Sequence, residues 1–273
     1  MVMRRSVTFA RYLFFCVLLW SFALPAPRAL AKSSQPDRGP KLAYRLLGRK
    51  GPVIVFESGQ GLGKESWDRV VQPLAACARI VLYDREGIGD SPAPPDHRPV
   101  IADTVADALA GLLQAIHVDP PYLLVGHSLG GLYVQAFARR HPKDVAAVVL
   151  VDASSPLEPP GVFVSTVPLD SGSISAAEEA GVTPSMTALL EGPAFPPVPL
   201  VVLAATDHGD TPKREALWQE VQLRTAALSP KGRLEVVNSG HFIQMDHPEM
   251  VVRAVLEAAR LSGLDLKGCE TEP

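Results

Sequence analysis

The sequence predicts an α/β fold: a mostly parallel central sheet flanked by helices on both faces, with a short lid insertion. Three observations carry this. The segments Val53–Phe56, Tyr122–Val125, Val145–Val151 and Pro199–Ala205 are apolar almost throughout, as strands buried on both faces must be. They alternate with segments whose apolar residues recur at helical spacing, the pattern of an open sheet covered by helices. Finally, 273 residues at 47% hydrophobic and 20% charged suit a full α/β core and exclude disordered, collagen-like and coiled-coil chains.

The elements follow in order. Arg4, Arg5 and Arg11 precede a short apolar run, Tyr12 to Trp20, and then the small-residue pattern Ala29-Leu30-Ala31. Basic start, apolar segment and A-x-A site make a secretory signal over 1–31, removed after Ala31. An uncleaved anchor is the alternative. Lys32 to Pro40 is polar and reads as a linker, and 41–273 as the folded domain. No second apolar run reaches the ~20 residues of a bilayer span, so the mature chain should have no stable membrane span. The expected location is periplasmic or secreted.

A strand is expected over Lys41 to Leu47, then Val53–Phe56 between Gly51-Pro52 and Ser58-Gly59. Trp67, Val70, Val71 and Leu74 mark a helix within Ser66 to Cys77. Arg79 to Tyr83 is the next strand, Ile101 to Ile116 an amphipathic helix. Tyr122–Val125 leads into a helix from Leu129 to Arg140, stopped near Pro142. Strand Val145–Val151 is followed by about 45 residues rich in Pro, Gly and Ser, too long for a plain connection and expected to be a functional lid. This insertion, 155–198, carries one weak helical patch around Ala176 to Leu190. Pro199 to Ala205 and Leu234 to Val237 are further strands, and Met250 to Leu261 a closing helix.

A net charge of −3 gives no electrostatic case for a nucleic-acid partner. Of three cysteines, Cys16 falls in the leader. In an oxidising compartment Cys77 and Cys269 form one disulfide tying the C-terminal tail to the body, or else remain a buried thiol and a loose one.

The chemistry begins at Gly126-His127-Ser128-Leu129-Gly130, a G-x-S-x-G between a strand and a helix. A tight turn there holds the serine in a strained conformation, and only glycine at Gly126 and Gly130 lets it close. The hydroxyl then stands at a helix N-terminus, which favours developing negative charge.

Four blocks together, Phe56 to Gly61, Tyr83 to Ser91, Gly126 to Gly131, and Ser239 to Phe242 with Pro248-Glu249, resemble the α/β-hydrolase family over about residues 41 to 262. The resemblance implies Ser128 as nucleophile and His241, after the last strand, as general base. For the acid it implies Asp207, after strand Pro199–Ala205, as the preferred candidate. Asp152, at the end of Val145–Val151, is the alternative, with Asp210 behind both. The oxyanion hole would be the backbone N–H groups of Gln60 and Leu129. His127 reads as packing, and Glu57 as an anchor for the Ser58–Gly63 loop. No metal or other cofactor is expected, since no His, Cys and carboxylate set completes a site.

The implied activity is an exported serine hydrolase of the carboxylesterase type, acting through an acyl-enzyme on a small-molecule ester. Amide or peptide hydrolysis and other acyl transfer are the alternatives on the same residues, and a non-catalytic binding protein is the alternative of another class.

Overall fold

The computed structural model describes residues 41–96, 98–163, 168–266, 268 and 269. The expected signal and linker lie outside them. Seven strands form one sheet in the order β1-β3-β2-β4-β5-β6-β7. They are β1 (Tyr44–Leu47), β2 (Val53–Glu57), β3 (Arg79–Tyr83), β4 (Tyr122–His127), β5 (Val145–Val151), β6 (Leu200–Ala205) and β7 (Gly232–Val237). Only β1 is antiparallel to its neighbour; every other pairing is parallel.

Alternation along each strand builds two cores. On β4, Tyr122 and Leu124 face one side while Leu123 and Val125 face the other. On β5, Val148 and Leu150 oppose Ala147, Val149 and Val151 in the same way. Helices α2 (Ala102–Ala115) and α3 (Leu129–Arg140) cover the first face. Helices α1 (Asp68–Leu74) and α7 (Pro248–Ser262) cover the second. Burial on both faces explains why these strands are apolar up to His127 at the end of β4.

The insertion contributes α4 (Ile174–Glu191), longer by two residues at its start than the expected patch and capped by Ser173, whose Oγ accepts from Ala176 N. It lies against the segment entering α2: Val100 N donates to the Ala177 carbonyl, and Ala102 N to Ser185 Oγ. A Cβ at Gly181 would strike the Val100 carbonyl, so the close approach requires glycine.

The structure adds two helices that the pattern of apolar residues did not indicate. Helix α5 (Pro212–Ala226) connects β6 to β7, and the single turn α6 (Ile243–Asp246) precedes α7. Helix α5 begins with Thr211 as N-cap and Pro212 in its first turn, a standard start signal. Its first turns are polar, however, and its apolar stripe is sparse.

Cys77 and Cys269 are joined by a disulfide with Cα atoms 5.4 Å apart, and both residues are buried beside α1 and α7. The bond closes a loop of 192 residues and holds the C-terminal segment after α7 on the body. Breaking so long a loop raises the entropy of the unfolded chain. Cys269→Ala is therefore expected to lower stability by about 2–5 kcal/mol. Urea titrations of wild type and variant, with and without reductant, would measure it; reductant should affect only the wild type.

Candidate active site

All the site residues leave the C-terminal ends of parallel strands, where ligands bind in open α/β sheets. Ser128 follows β4 directly. Its backbone is at φ 51° and ψ −125°, a conformation that costs a non-glycine residue about 1–3 kcal/mol. The flanking glycines make it possible. A Cβ on Gly126 would lie 2.7 Å from the Gly130 carbonyl oxygen, and one on Gly130 would lie 2.4 Å from that of Ser58. Gly130 thus seats the start of α3 directly on the loop after β2.

Ser128 donates to His241 Nε2 at 2.9 Å, and His241 Nδ1 donates to Asp152 Oδ2 at 2.6 Å. A carboxylate only accepts, so the N–H of His241 sits on Nδ1 and Nε2 is left bare for the serine. Asp152 is wholly buried and receives four donors. Oδ1 takes Ala205 N (2.9 Å) and Trp218 Nε1 (2.8 Å). Oδ2 takes His241 Nδ1 and His208 Nε2, the latter at 2.7 Å. Burial opposes ionisation, but the hydrogen bonds from His208 and His241 outweigh it and hold this carboxyl well below the usual range.

Asp207, the preferred acid on sequence grounds, is not the group that meets His241. It is exposed, and its Oδ1 accepts from Gly209 N at 3.0 Å, closing a turn of its own. Its neighbour His208 points inward instead. Asp210 is also at the surface, paired with Arg214 at 2.8 Å. Asp152 therefore takes the position opposite His241.

His127 does more than pack. Its Nε2 donates to the His241 carbonyl at 3.0 Å, tying the loop that carries His241 to β4. Burial, with His241 close by, holds its pKa down at about 3, so the ring is neutral and its Nδ1 is bare. That nitrogen lies against Gly59, where a Cβ would come within 2.8 Å.

Glu57 anchors the Ser58–Gly63 loop through a larger assembly. The guanidinium of Arg85 donates to Glu57 Oε1 (2.6 Å), to the Ser58 carbonyl (2.7 Å), to the Gly59 carbonyl (2.8 Å) and to Glu178 Oε1 (2.7 Å). Tyr83 donates its hydroxyl to Glu57 Oε2. Glu178 lies on α4, and its Oε2 accepts from Gly61 N at 2.8 Å. Nearby, the Gln60 side chain donates to the Ser175 carbonyl and to Glu179. The loop that passes Ser128 is thus held from one side by Arg85 and from the other by the insertion.

Asp152, His208 and His241 also bring metal-ligating atoms within 4.8 Å of one another. Their mutual distances of 2.6 and 2.7 Å are hydrogen bonds. Two ligands about 2.0 Å from one tetrahedral ion stand roughly 3.3 Å apart. The cluster is built as a proton-bearing chain.

The family model described as alpha/beta hydrolase fold matches residues 52–173. Over 218 residues the chain is 29% identical to an uncharacterized protein, YqjL, of Bacillus subtilis, covering 77% of this chain and 84% of that one. It is 42% identical over 115 residues to a pimeloyl-[acyl-carrier protein] methyl ester esterase of Chromobacterium violaceum, spanning 42% of this chain and 41% of the relative. A thermophilic esterase from Thermogutta terrifontis superposes with a TM-score of 0.62 at 22% identity, over 85% of this chain and 98% of that chain, a likeness of fold. With its seven-stranded sheet and its site at the strand ends, the chain has the α/β-hydrolase fold.

Proposed function

We propose that the chain is an exported serine hydrolase that cleaves a carboxylic ester through an acyl-enzyme. The observation that carries this reading is the continuous chain from Ser128 Oγ through His241 to Asp152. Ser128 attacks the ester carbonyl as His241 Nε2 takes its proton, and the Asp152 carboxylate stabilises the imidazolium that forms. The tetrahedral oxyanion is held by the backbone N–H groups of Leu129 and Gln60. His241 then returns the proton to the departing alkoxide, leaving an ester on Ser128. Water, deprotonated by His241, attacks this ester, and collapse releases the carboxylic acid and restores the serine. The esterase among the relatives favours an ester over an amide.

The proposed export draws on the signal pattern of residues 1–31. The Cys77–Cys269 bond supports it, being of the kind that oxidising compartments preserve. Among the described residues, no helix is long and apolar enough to cross a membrane. The chain recovered from outside the cytoplasm is expected to begin at Lys32, as N-terminal sequencing would read; an intact leader would refute the cleavage.

A fluorophosphonate should add once to the wild-type protein by intact mass and not at all to Ser128→Ala. Hydrolysis of an aryl ester should fall by at least about 10^4-fold in that variant. A folded wild type that takes no adduct would overturn the reading, and adducts with hydrolysis of amides but not esters would reassign the substrate class. The acid is tested in the same assay. Asp152→Asn keeps the shape but removes the charge facing His241, and should cost about 10^3–10^4-fold in kcat. Asp207→Asn should stay within about twofold, as surface substitutions do. The reverse pattern would restore Asp207 to the role.

A further inference from the structure

His208 takes no part in the steps above, yet it is as firmly held as the triad. It sits in the loop after β6 with one ring nitrogen on each of two carboxylates. Nε2 is 2.7 Å from Asp152 Oδ2 and Nδ1 is 2.7 Å from Glu215 Oε2. The His208 backbone N–H donates to Glu215 Oε1 at 2.8 Å, so Glu215 grips the residue twice. One helical turn along α5, Trp218 donates to the same Asp152, and its ring stands edge-on to His208 with centroids 5.3 Å apart. Phe163 of the insertion also packs on Trp218, centroids 5.0 Å apart.

The proton count follows from this geometry. Neutral imidazole has one N–H, and ionised carboxylates only accept. A ring placed at 2.7 Å between two carboxylates satisfies both only as imidazolium, with an N–H on each side. Were the proton lost, a bare nitrogen would face one carboxylate oxygen. If that nitrogen were Nε2, its lone pair would oppose the very oxygen that receives His241 Nδ1.

We propose that His208 is a positioning residue of the triad, an imidazolium clamped between Glu215 and Asp152 that holds the Asp152 carboxylate against His241 and, on losing its proton, weakens the site from the alkaline side. The activity readouts of this inference rest on the serine-hydrolase reading; the proton on His208 does not.

The surroundings agree in sign. Burial works against the charge on His208, but the hydrogen bonds and charges of Asp152 and Glu215 outweigh it and push its pKa up to about 9. The stabilisation it brings is therefore complete below the ordinary value of about 6.5 and lost as pH rises through about 9. The other charged or titratable groups around the cluster come from four places. Asp207 and Asp210 lie on its own loop, and Arg214 on α5 is paired with Asp210. His241 precedes α6. Glu158 opens the insertion. Burial pushes the Glu158 carboxyl up to about 7, with the Asp152 charge adding to it against the hydrogen bond from Ser155 N. A transition near 7 therefore belongs to a different group from one near 9.

The test is an NMR titration of the histidine ring C–H signals in the full-length protein, with His208 assigned by its absence in His208→Gln. Beside it runs the rate of fluorophosphonate labelling of Ser128 against pH. The His208 signal should titrate near 9 in wild type and at least about one unit lower in Glu215→Gln, which removes one of the two charges. Labelling of wild type should slow above pH ~9. That limb should move down with Glu215→Gln and vanish in His208→Gln, whose rate at pH 8 should be about 10–100-fold lower because Asp152 has lost its clamp. A part in folding alone would lower stability and leave the limb in place. A His208 signal that titrates near its ordinary value, or an alkaline limb unmoved in Glu215→Gln, overturns the proposal. If His208→Gln fails to fold, the Glu215→Gln limb still decides, with the His208 signal assigned as the one that Glu215→Gln moves. Raised titration of His208 without any labelling would sink the serine-hydrolase reading and leave the clamp standing.

Discussion

A carboxylate removed wholly from water is the constraint around which the site is organised. Burying the Asp152 charge costs several kcal/mol before compensation, and the fold answers with one donor for each of its four hydrogen-bonding positions. Those donors come from four separate pieces of chain: the end of β6, the loop after it, helix α5 and the loop before α6. Meeting the needs of one anion therefore fixes where all four lie. The orientation of His241 follows, since its Nδ1 must supply one of the four bonds. Because three of the donors have nothing to do with the serine, the carboxylate is kept in place before any substrate arrives, as electrostatic preorganisation requires.

Arg85 solves the complementary problem, a buried cation, on the other side of Ser128. It is placed between two buried glutamates and two main-chain carbonyls, and the charge of Glu178 and Glu57 offsets its burial. Only a planar guanidinium can serve four acceptors in one fork; a lysine would have to abandon some of them. The same contacts make the Ser58–Gly63 loop depend on α4, since Glu178 reaches both Arg85 and the Gly61 N–H. The insertion is thus part of the frame that shapes the site.

Much of this was legible in one dimension, for identifiable reasons. Strands buried on both faces declare themselves as unbroken apolar runs, and the two glycines about Ser128 mark a turn that no other residue can make. His241 stands out by its place between the last strand and the closing helix. The acid was harder, because Asp152 and Asp207 each follow a core strand and look alike as text. What separates them is which side chain turns inward, and that depends on the Gly209 turn that engages Asp207 and on the presence of His208 one position later. Glu215 and Trp218 carry no signal of their own in the sequence, because the charged opening turns of helix α5 mask its apolar stripe. The Thr211-Pro212 start was the available signal. Even with the helix in hand, its contact with Asp152 spans 66 residues of sequence and has no local signature.

The backbone applies one device twice to bring Ser128 and Asp152 together. Ser128 and Asp152 each end a parallel strand, and each has a positive φ, 51° and 43°. Among the described residues only His117 shares this feature outside glycine. Each also donates its backbone N–H to the next strand: Ser128 N to the Val151 carbonyl, and Asp152 N to the Leu203 carbonyl. The strain therefore appears just where sheet pairing ends, at corresponding positions of neighbouring strands. A residue there in ordinary extended geometry would continue the pleat and send its side chain into one of the two cores. The left-handed step instead lifts it out beyond the strand ends, toward the space where His241 hangs from the loop after β7. Aspartate tolerates this region better than most residues, and the four hydrogen bonds to its carboxylate hold it there. Serine has a single side-chain bond, to His241, and relies also on Gly126, Gly130 and the bond to β5. The two strained residues then face His241 from adjacent strands, so the spacing of the parallel sheet itself sets the distance between Ser128 and Asp152.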